Sequence, residues 1–168
     1  MSWEVPKIWQ GGTCWIIGGG PSVTTQFNIP KRIVEQVCAK EIPISAYAPY
    51  MSMLHDQHVI GINASFRLGD FVDICFFGDK KWYFDNAKDL NSFKGILVGC
   101  PEFLQLSGWQ QLGIKYLQKN VRKTVGISED PTKVCWNYNS GAAAISLAYN
   151  AGCKRIILLG FDMTLNQE

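Results

Sequence analysis

Five short stretches of the sequence are largely apolar, and turn residues follow most of them. They lie at residues 13–17, 58–62, 74–77, 95–98 and 155–159. Continuous apolar runs of this length are typical of parallel strands covered on both faces, whereas a strand with one solvated face alternates apolar and polar residues. The pattern therefore predicts a buried, parallel sheet.

Helical segments are predicted between these runs, at residues 31–40, 80–92 and 140–151. Strands that alternate with helices indicate an α/β fold of the doubly wound, Rossmann-like type, with a mostly parallel sheet and helices on both faces. Residues 41–57 predict a loop with one short helix. Residues 101–134 have the weakest pattern, and we expect an insertion over the sheet edge with a short strand at 115–117 or near Val121.

The length of 168 residues suits one domain, 1–168, with a core of its own. Only six residues follow Asp162, whereas an α/β domain ordinarily continues with further helices and a strand. The sequence therefore predicts a single Rossmann-like domain that is either truncated at its C-terminus or minimal.

Charge and cysteine content argue against several classes of protein. The net charge of +2 is too small to indicate a nucleic-acid partner, and we expect neither a membrane span nor a secretory signal. The six cysteines include no C-x-x-C pair, so we expect buried thiols in a reducing cytoplasm rather than a zinc site. The candidate anchors of a homo-oligomer interface are Trp3, Trp9, Trp82, Trp109 and Trp136.

The most distinctive segment is the glycine-rich turn Gly18-Gly19-Gly20-Pro21-Ser22, which follows the first apolar run. Glycines let a backbone approach a ligand closely, and a serine at this point is suited to cap the following helix. Free amides at a helix N-terminus favour an anion such as phosphate. The turn has neither the G-x-G-x-x-G spacing nor the lysine of a P-loop, yet it favours phosphate or ribose binding over a plain turn.

Polar side chains follow the other predicted strands, at the end where open α/β sheets bind ligands. Asn63 either contacts ribose or a base, or forms an Asx turn or a helix cap before residues 64–68. Asp79 either caps the next helix or acts on a hydroxyl or Mg²⁺, which makes it the one catalytic candidate. Asp162 either binds ribose or metal, or caps a loop. The predicted nucleotide site comprises Gly18, Gly19, Gly20, Pro21, Ser22, Asn63, Asn139, Ser140, Gly141 and Asp162.

Four segments in combination resemble a known family. They are IIGGGPSV at 16–23, IN at 62–63, NSG with its alanine-rich helix from 139, and KRIILLGFDM at 154–163. The combination resembles the bacterial lipooligosaccharide sialyltransferases that use CMP-sialic acid, and is similar to small phage-encoded relatives. The wider clan includes archaeal hydroxymethyl-dihydropterin diphosphokinase. The resemblance implies a CMP-like nucleotide over residues 18–22, held by Asn63 and Ser140, with Asp162 near the ribose or base.

The chain departs from the sialyltransferase pattern at Gly19 and at Gly78-Asp79, where the family carries asparagine. The family's catalytic histidine lies beyond the aspartate strand, after the last residue of this chain. Three functions therefore remain open: a CMP-sugar enzyme or binding protein, a pyrophosphokinase-like enzyme with ATP and Mg²⁺ on Asp79 and Asp162, and a non-catalytic phage protein in the host cytoplasm. In each case the expected partner is a small nucleotide or nucleotide sugar.

Overall fold

A computed structural model of the protein describes residues 2–100, 109 and 111–162. Its strands are β1 (Thr13–Ile17), β2 (His58–Ile62), β3 (Ile74–Phe77), β4 (Ile96–Gly99), β5 (Lys115–Tyr116), β6 (Gln118–Lys119), β7 (Lys133–Val134) and β8 (Arg155–Leu159). Six of them form one sheet in the order β5-β4-β3-β2-β1-β8, and every neighbouring pair is parallel. Strands β6 and β7 form a separate parallel pair. The predicted parallel sheet is confirmed.

The order of the strands reverses at β1. Strands β1 to β5 follow one another toward one edge of the sheet, and β8 lies on the other side of β1. In β1, Ile16 is opposite Ile60 of β2 and Leu158 of β8. Doubly wound sheets bind ligands at such a reversal, in the crevice outside the carboxyl ends of the strands. The crevice here lies between the turns that follow β1 and β8.

Helices cover both faces of the sheet, which confirms the doubly wound, Rossmann-like fold. They are α1 (Ser22–Gln26), α2 (Lys31–Cys38), α3 (Lys80–Leu90) and α4 (Ser140–Asn150), with 3-10 segments at Ile44–Leu54 and Asn63–Leu68. Helix α4 packs on Ile16 and Ile60. The other helices and the 3-10 segments pack on the opposite face, against residues such as Ile17, Val59 and Phe77. Apolar residues on both faces of each strand explain why the strands are continuously apolar.

Two segments differ in detail from the sequence prediction. Residues 41–57 contain a 3-10 segment, Ile44–Leu54, in which two short helices meet at a kink at Met51, rather than one short helix in a loop. Its side chains Tyr47, Met51 and Leu54 are buried, and this burial stabilises a conformation that local propensity does not favour. The strand predicted at 115–117 is confirmed as β5, whereas Val121 is exposed and lies outside any strand. Residues 101–108 and 110 of the same insertion lie outside the described residues.

Cysteines and tryptophans contribute mainly to packing. All six thiols are free, and four of them are buried, namely Cys14, Cys75, Cys100 and Cys135. Burial raises the pKa of Cys100 to about 12, so this thiol is neutral. Trp9 and Trp109 are buried in the core, so the prediction that they anchor an interface is wrong. In the described part of the chain, no helix combines the length and the hydrophobicity that a membrane crossing requires.

Candidate functional site

A polar cavity of about 570 Å³ lies at the reversal point, outside the carboxyl ends of the strands. Nearly all of the predicted site residues line it: Gly18, Gly19, Gly20, Pro21, Asn63, Asp79, Asn139, Ser140, Gly141 and Asp162. The sequence analysis missed Ile62, Trp136, Tyr138, Gly160 and Phe161 in the same wall. Residues from five separate parts of the chain therefore meet in one place. Ser22 is the only predicted member that does not line the cavity.

Two of the three glycines in the first turn are required by packing. A Cβ atom on Gly18 would lie 2.7 Å from the carbonyl oxygen of Gly160. A Cβ atom on Gly20 would lie 2.6 Å from the same oxygen and would overlap a carboxylate oxygen of Asp162. A Cβ atom on Gly19 would meet nothing within 4 Å. The turn after β1 therefore packs tightly on the turn after β8, and only Gly19 has open space above it for a ligand.

Ser22 and Asp162 join these two turns. The backbone N–H of Ser22 donates to Oδ2 of Asp162 over 2.8 Å. Helix α1 has Pro21 at its N-cap and no side-chain cap from its own sequence, so the prediction that Ser22 caps it is wrong. Hydrogen bonding by the side chain and then the backbone of Ser22 lowers the pKa of Asp162. Asp162 therefore caps α1 as a carboxylate while it lines the cavity.

Asn63 lines the cavity and has one unsatisfied, buried polar atom. Its backbone is left-handed, with φ of 49°, and its side chain caps no helix. Among the described residues, its buried Oδ1 has no hydrogen-bond partner. A buried acceptor without a partner costs about 1–3 kcal/mol. Because Oδ1 is shielded from solvent, the Asn63 side chain has to turn before a ligand can donate to it, and ligand contact by Asn63 stays a prediction.

Asp79 has a structural role that the sequence analysis had left open. Its Oδ1 accepts a hydrogen bond from the backbone N–H of Trp82 over 2.7 Å, which caps α3. The carboxylate also lines the polar cavity. Because the cap uses one oxygen, the second oxygen is available to a hydroxyl or a cation.

The N-terminus of α4 forms another part of the wall. Oδ1 of Asn139 accepts a hydrogen bond from the N–H of Ala142 over 3.1 Å and caps the helix. The ring of Phe161 occupies the space that a Cβ atom on Gly141 would need. Because Gly141 has no side chain, Phe161 in the turn after β8 packs directly against the first turn of α4. Ser140 and the positive end of the helix dipole are placed at the cavity, where an anion is favoured.

Aromatic side chains close one side of the cavity. The ring of Trp136 packs on Gly78 and leaves no room for a Cβ atom there. Tyr138 is 80% exposed, and both Asn137 and Tyr138 have a positive φ, of 53° and 55°. Adjacent non-glycine residues in this conformation are strained, and such strain is concentrated at functional sites. Asparagine adopts this conformation more readily than other non-glycine residues, whereas nothing in a tyrosine marks it, so the sequence analysis missed Tyr138.

Neither histidine reaches the cavity. His55 contacts the carbonyl of Ala48 and stacks on Phe71, and His58 stacks on Trp9 at the start of β2. Within residues 2–100, 109 and 111–162, no group of three or more His, Cys, Asp or Glu side chains is arranged to hold a metal ion. The chemistry available in the described site comes from carboxylates, hydroxyls, amides and aromatic rings.

No protein-family model matches this sequence, and no curated protein is significantly similar to it.

Proposed function

We propose that the protein binds a nucleotide or nucleotide sugar of the CMP-sugar type in the polar cavity between β1 and β8. The observation that supports this most is the convergence of the glycine turn, Asn63, the α4 N-terminus and Asp162 on one cavity at the reversal of strand order. The volume of about 570 Å³ lies within the range of small-molecule sites, which is about 300–1,000 Å³.

The parts of the cavity match the parts of such a ligand. A phosphate suits the open space above Gly19 and the positive end of α4, because amide groups and the helix dipole favour an anion there. A ribose or base suits Asn63, which lines the cavity and whose side-chain amide can both donate and accept hydrogen bonds. The exposed ring of Tyr138 offers a surface on which a planar base can stack. Asp162 accepts the backbone N–H of Ser22 through Oδ2, and its carboxylate also lines the cavity, where it can accept from a hydroxyl.

If the protein transfers the sugar, Asp79 is the base in this proposal. The oxygen of an acceptor hydroxyl would form a bond to the anomeric carbon while the bond from that carbon to the CMP phosphate breaks. CMP would leave with the bonding electron pair, and the carboxylate of Asp79 would accept the hydroxyl proton. A protein without this activity would still bind the nucleotide, which is the non-catalytic alternative.

The second candidate is a pyrophosphokinase-like enzyme with ATP and Mg²⁺. It is favoured by one observation, the presence of two carboxylates, Asp79 and Asp162, in the same cavity. Each has one oxygen engaged by a backbone amide, of Trp82 and Ser22 respectively. Two carboxylate oxygens suit Mg²⁺ only when ligand phosphates and water complete its shell. The ion would then neutralise charge on the transferred group.

Ligand-dependent thermal stability tests these proposals. CMP, CMP-sialic acid, UDP-sugars, ATP and GTP would each be added with and without Mg²⁺. A ligand at a hundred times its Kd stabilises the folded state by about 2.7 kcal/mol. With an unfolding entropy of about 2.1 cal/mol/K per residue, the 168 residues give about 0.35 kcal/mol/K, so Tm should rise by about 8 °C.

Matched variants make the outcome specific. Ser140→Ala should reduce the shift given by cytidine nucleotides, whereas Ser52→Ala, an exposed serine far from the cavity, should not. A shift with ATP that requires Mg²⁺ and is lost in Asp79→Asn would favour the second candidate. Recovery of unaltered CMP-sialic acid after long incubation with acceptors would favour binding without transfer. No shift with any nucleotide would contradict the proposal.

A further inference from the structure

A second cavity, of about 430 Å³, lies on the α2 side of the glycine turn. It shares residues 18–21 with the polar cavity, but the rest of its wall is different in character. Ile17, Val23, Val34, Val37, Ile44 and Leu68 contribute apolar side chains. Among the described residues that form this wall, none carries a charge. The cavity therefore suits an apolar group and disfavours an ionic one.

Helix α2 explains why the cavity exists. No residue of α2 is buried, although Val34 and Val37 lie three residues apart on one side of the helix. An amphipathic helix normally buries such a side against the core. Here that side borders the cavity, where both valines remain only half-buried. An apolar ligand in this space would bury the apolar surface of the two valines that the fold leaves half exposed.

The hydroxyl groups in the wall differ in their availability. Thr24 donates to the carbonyl of Pro21 over 2.8 Å, and Ser65 donates to the carbonyl of Gly18 over 3.2 Å. Tyr47 is buried to 6% exposure, and no hydrogen bond of its hydroxyl is found among the described residues. Burial raises the pKa of Tyr47, and the nearby Cys38 raises it further, so the hydroxyl is neutral. It offers one polar contact in an otherwise apolar cavity.

We propose that the apolar cavity binds the hydrocarbon part of an amphiphilic ligand whose phosphate-bearing end lies in the polar cavity. Residues 18–21 border both spaces, so a ligand that lies across this turn contacts both of them. Gly19 places no side chain over the turn, and an added Cβ atom there would meet nothing within 4 Å. The ligand class is an alkyl or prenyl phosphate, or a compound that carries such a chain. The phosphate end of this inference rests on the proposed function, whereas the hydrocarbon end rests on the apolar cavity alone.

Fluorescence titration with N-phenyl-1-naphthylamine, an apolar probe, tests the hydrocarbon end. We expect saturable binding of one equivalent. Val37→Phe fills the cavity and should weaken probe binding at least tenfold, whereas Arg32→Phe, which adds the same ring to the exposed side of α2, should leave it unchanged. Thermal denaturation of both variants would confirm that they are folded. Absence of saturable binding, or equal binding by the wild type and Val37→Phe, would overturn the proposal.

Displacement of the probe tests the connection between the two cavities. Dodecyl phosphate below its micellar concentration should displace the probe at least tenfold more effectively than dodecanol, and inorganic phosphate should not displace it. Gly19→Leu places a side chain over the turn that both cavities share and should weaken dodecyl phosphate at least tenfold more than it weakens the probe. Dodecyl phosphate should also slow alkylation of the exposed Cys38 thiol by N-ethylmaleimide, followed by peptide mass spectrometry. Equal displacement by phosphate ester and alcohol would overturn the spanning ligand.

The two proposals fail in different ways. Stabilisation by cytidine nucleotides without probe binding would leave the proposed function intact and remove the apolar site. Binding of the probe and of dodecyl phosphate, without a change in Tm from any nucleotide, would contradict the proposed nucleotide function and support the apolar site.

Discussion

Replacement of single glycines in the first turn separates packing from ligand binding. Gly20→Ala places a Cβ atom 2.6 Å from the carbonyl oxygen of Gly160 and in overlap with a carboxylate oxygen of Asp162. Ordinary carbon contacts begin near 3.4 Å, so the turn after β8 has to move by several tenths of an ångström. Gly19→Ala meets nothing within 4 Å and has no positive φ to strain it. The two variants therefore differ in packing while they make the same chemical change.

The expected magnitudes follow from this geometry. Overpacking of a tight contact costs about 1–3 kcal/mol. With about 0.35 kcal/mol/K from the unfolding entropy of 168 residues, Gly20→Ala should lower Tm by about 3–9 °C. Gly19→Ala should leave Tm unchanged or raise it by about 1–3 °C, because alanine reduces the entropy of the unfolded chain by about 0.4–1 kcal/mol.

Calorimetry and a double-mutant cycle provide the assay. Asp162→Ala removes one of the two overlapping groups, so the cost of Gly20→Ala should be smaller in that background, by at least about 0.5 kcal/mol. Gly19→Ala in the Asp162→Ala background serves as the control, and the two changes should be additive. Equal Tm values for Gly19→Ala and Gly20→Ala, or strict additivity of Gly20→Ala with Asp162→Ala, would refute the packing of the two turns.

Three further predictions concern other contacts. Asn139→Ala should destabilise the protein by about 1 kcal/mol in urea denaturation, because it removes the side-chain cap of α4, whereas Asn139→Ser should retain most of the stability. Burial raises the pKa of Asp73 above 3.8, although the Val59 amide and His58 act in the opposite direction. The neutral form of Asp73 is therefore favoured in the folded state, so its contribution to stability is fully present below pH 3.8 and is lost as the pH rises through the raised pKa. Unfolding free energies from pH 3 to 7 should therefore show wild type losing stability relative to Asp73→Asn, and a pH-independent difference would contradict this. Asn137→Ala should accelerate proteolysis near Gly126, because the Asn137 side chain holds that residue by two hydrogen bonds. Its Oδ1 accepts the amide hydrogen of Gly126 over 2.7 Å, and its Nδ2 donates to the carbonyl oxygen of Gly126. An unchanged cleavage rate would mean that these two bonds do not anchor the loop.

The sequence by itself determined the features that depend on near neighbours. Continuous apolar runs predicted five of the strands in the main sheet. A strand that is buried on both faces needs an apolar side chain at nearly every position, so the sequence of the strand alone shows it. The caps by Asp79 and Asn139 were open to prediction, since each carboxylate or amide oxygen binds an N–H only three residues along the chain. The nucleotide site itself stays a prediction, although its residues meet at one cavity.

Only the tertiary structure decided how these local pieces fit together. The hydrogen bond from the Ser22 N–H to Asp162 joins residues 140 positions apart. No local sequence pattern shows that Asp162, rather than the Ser22 side chain, caps α1. Gly20 is required by the turn after β8, which becomes its neighbour only because β8 pairs with β1. The apolar cavity beside α2 likewise follows from packing among distant segments. Local hydrogen bonds and periodicity act over a few residues, whereas the shape of a site depends on which strands lie side by side.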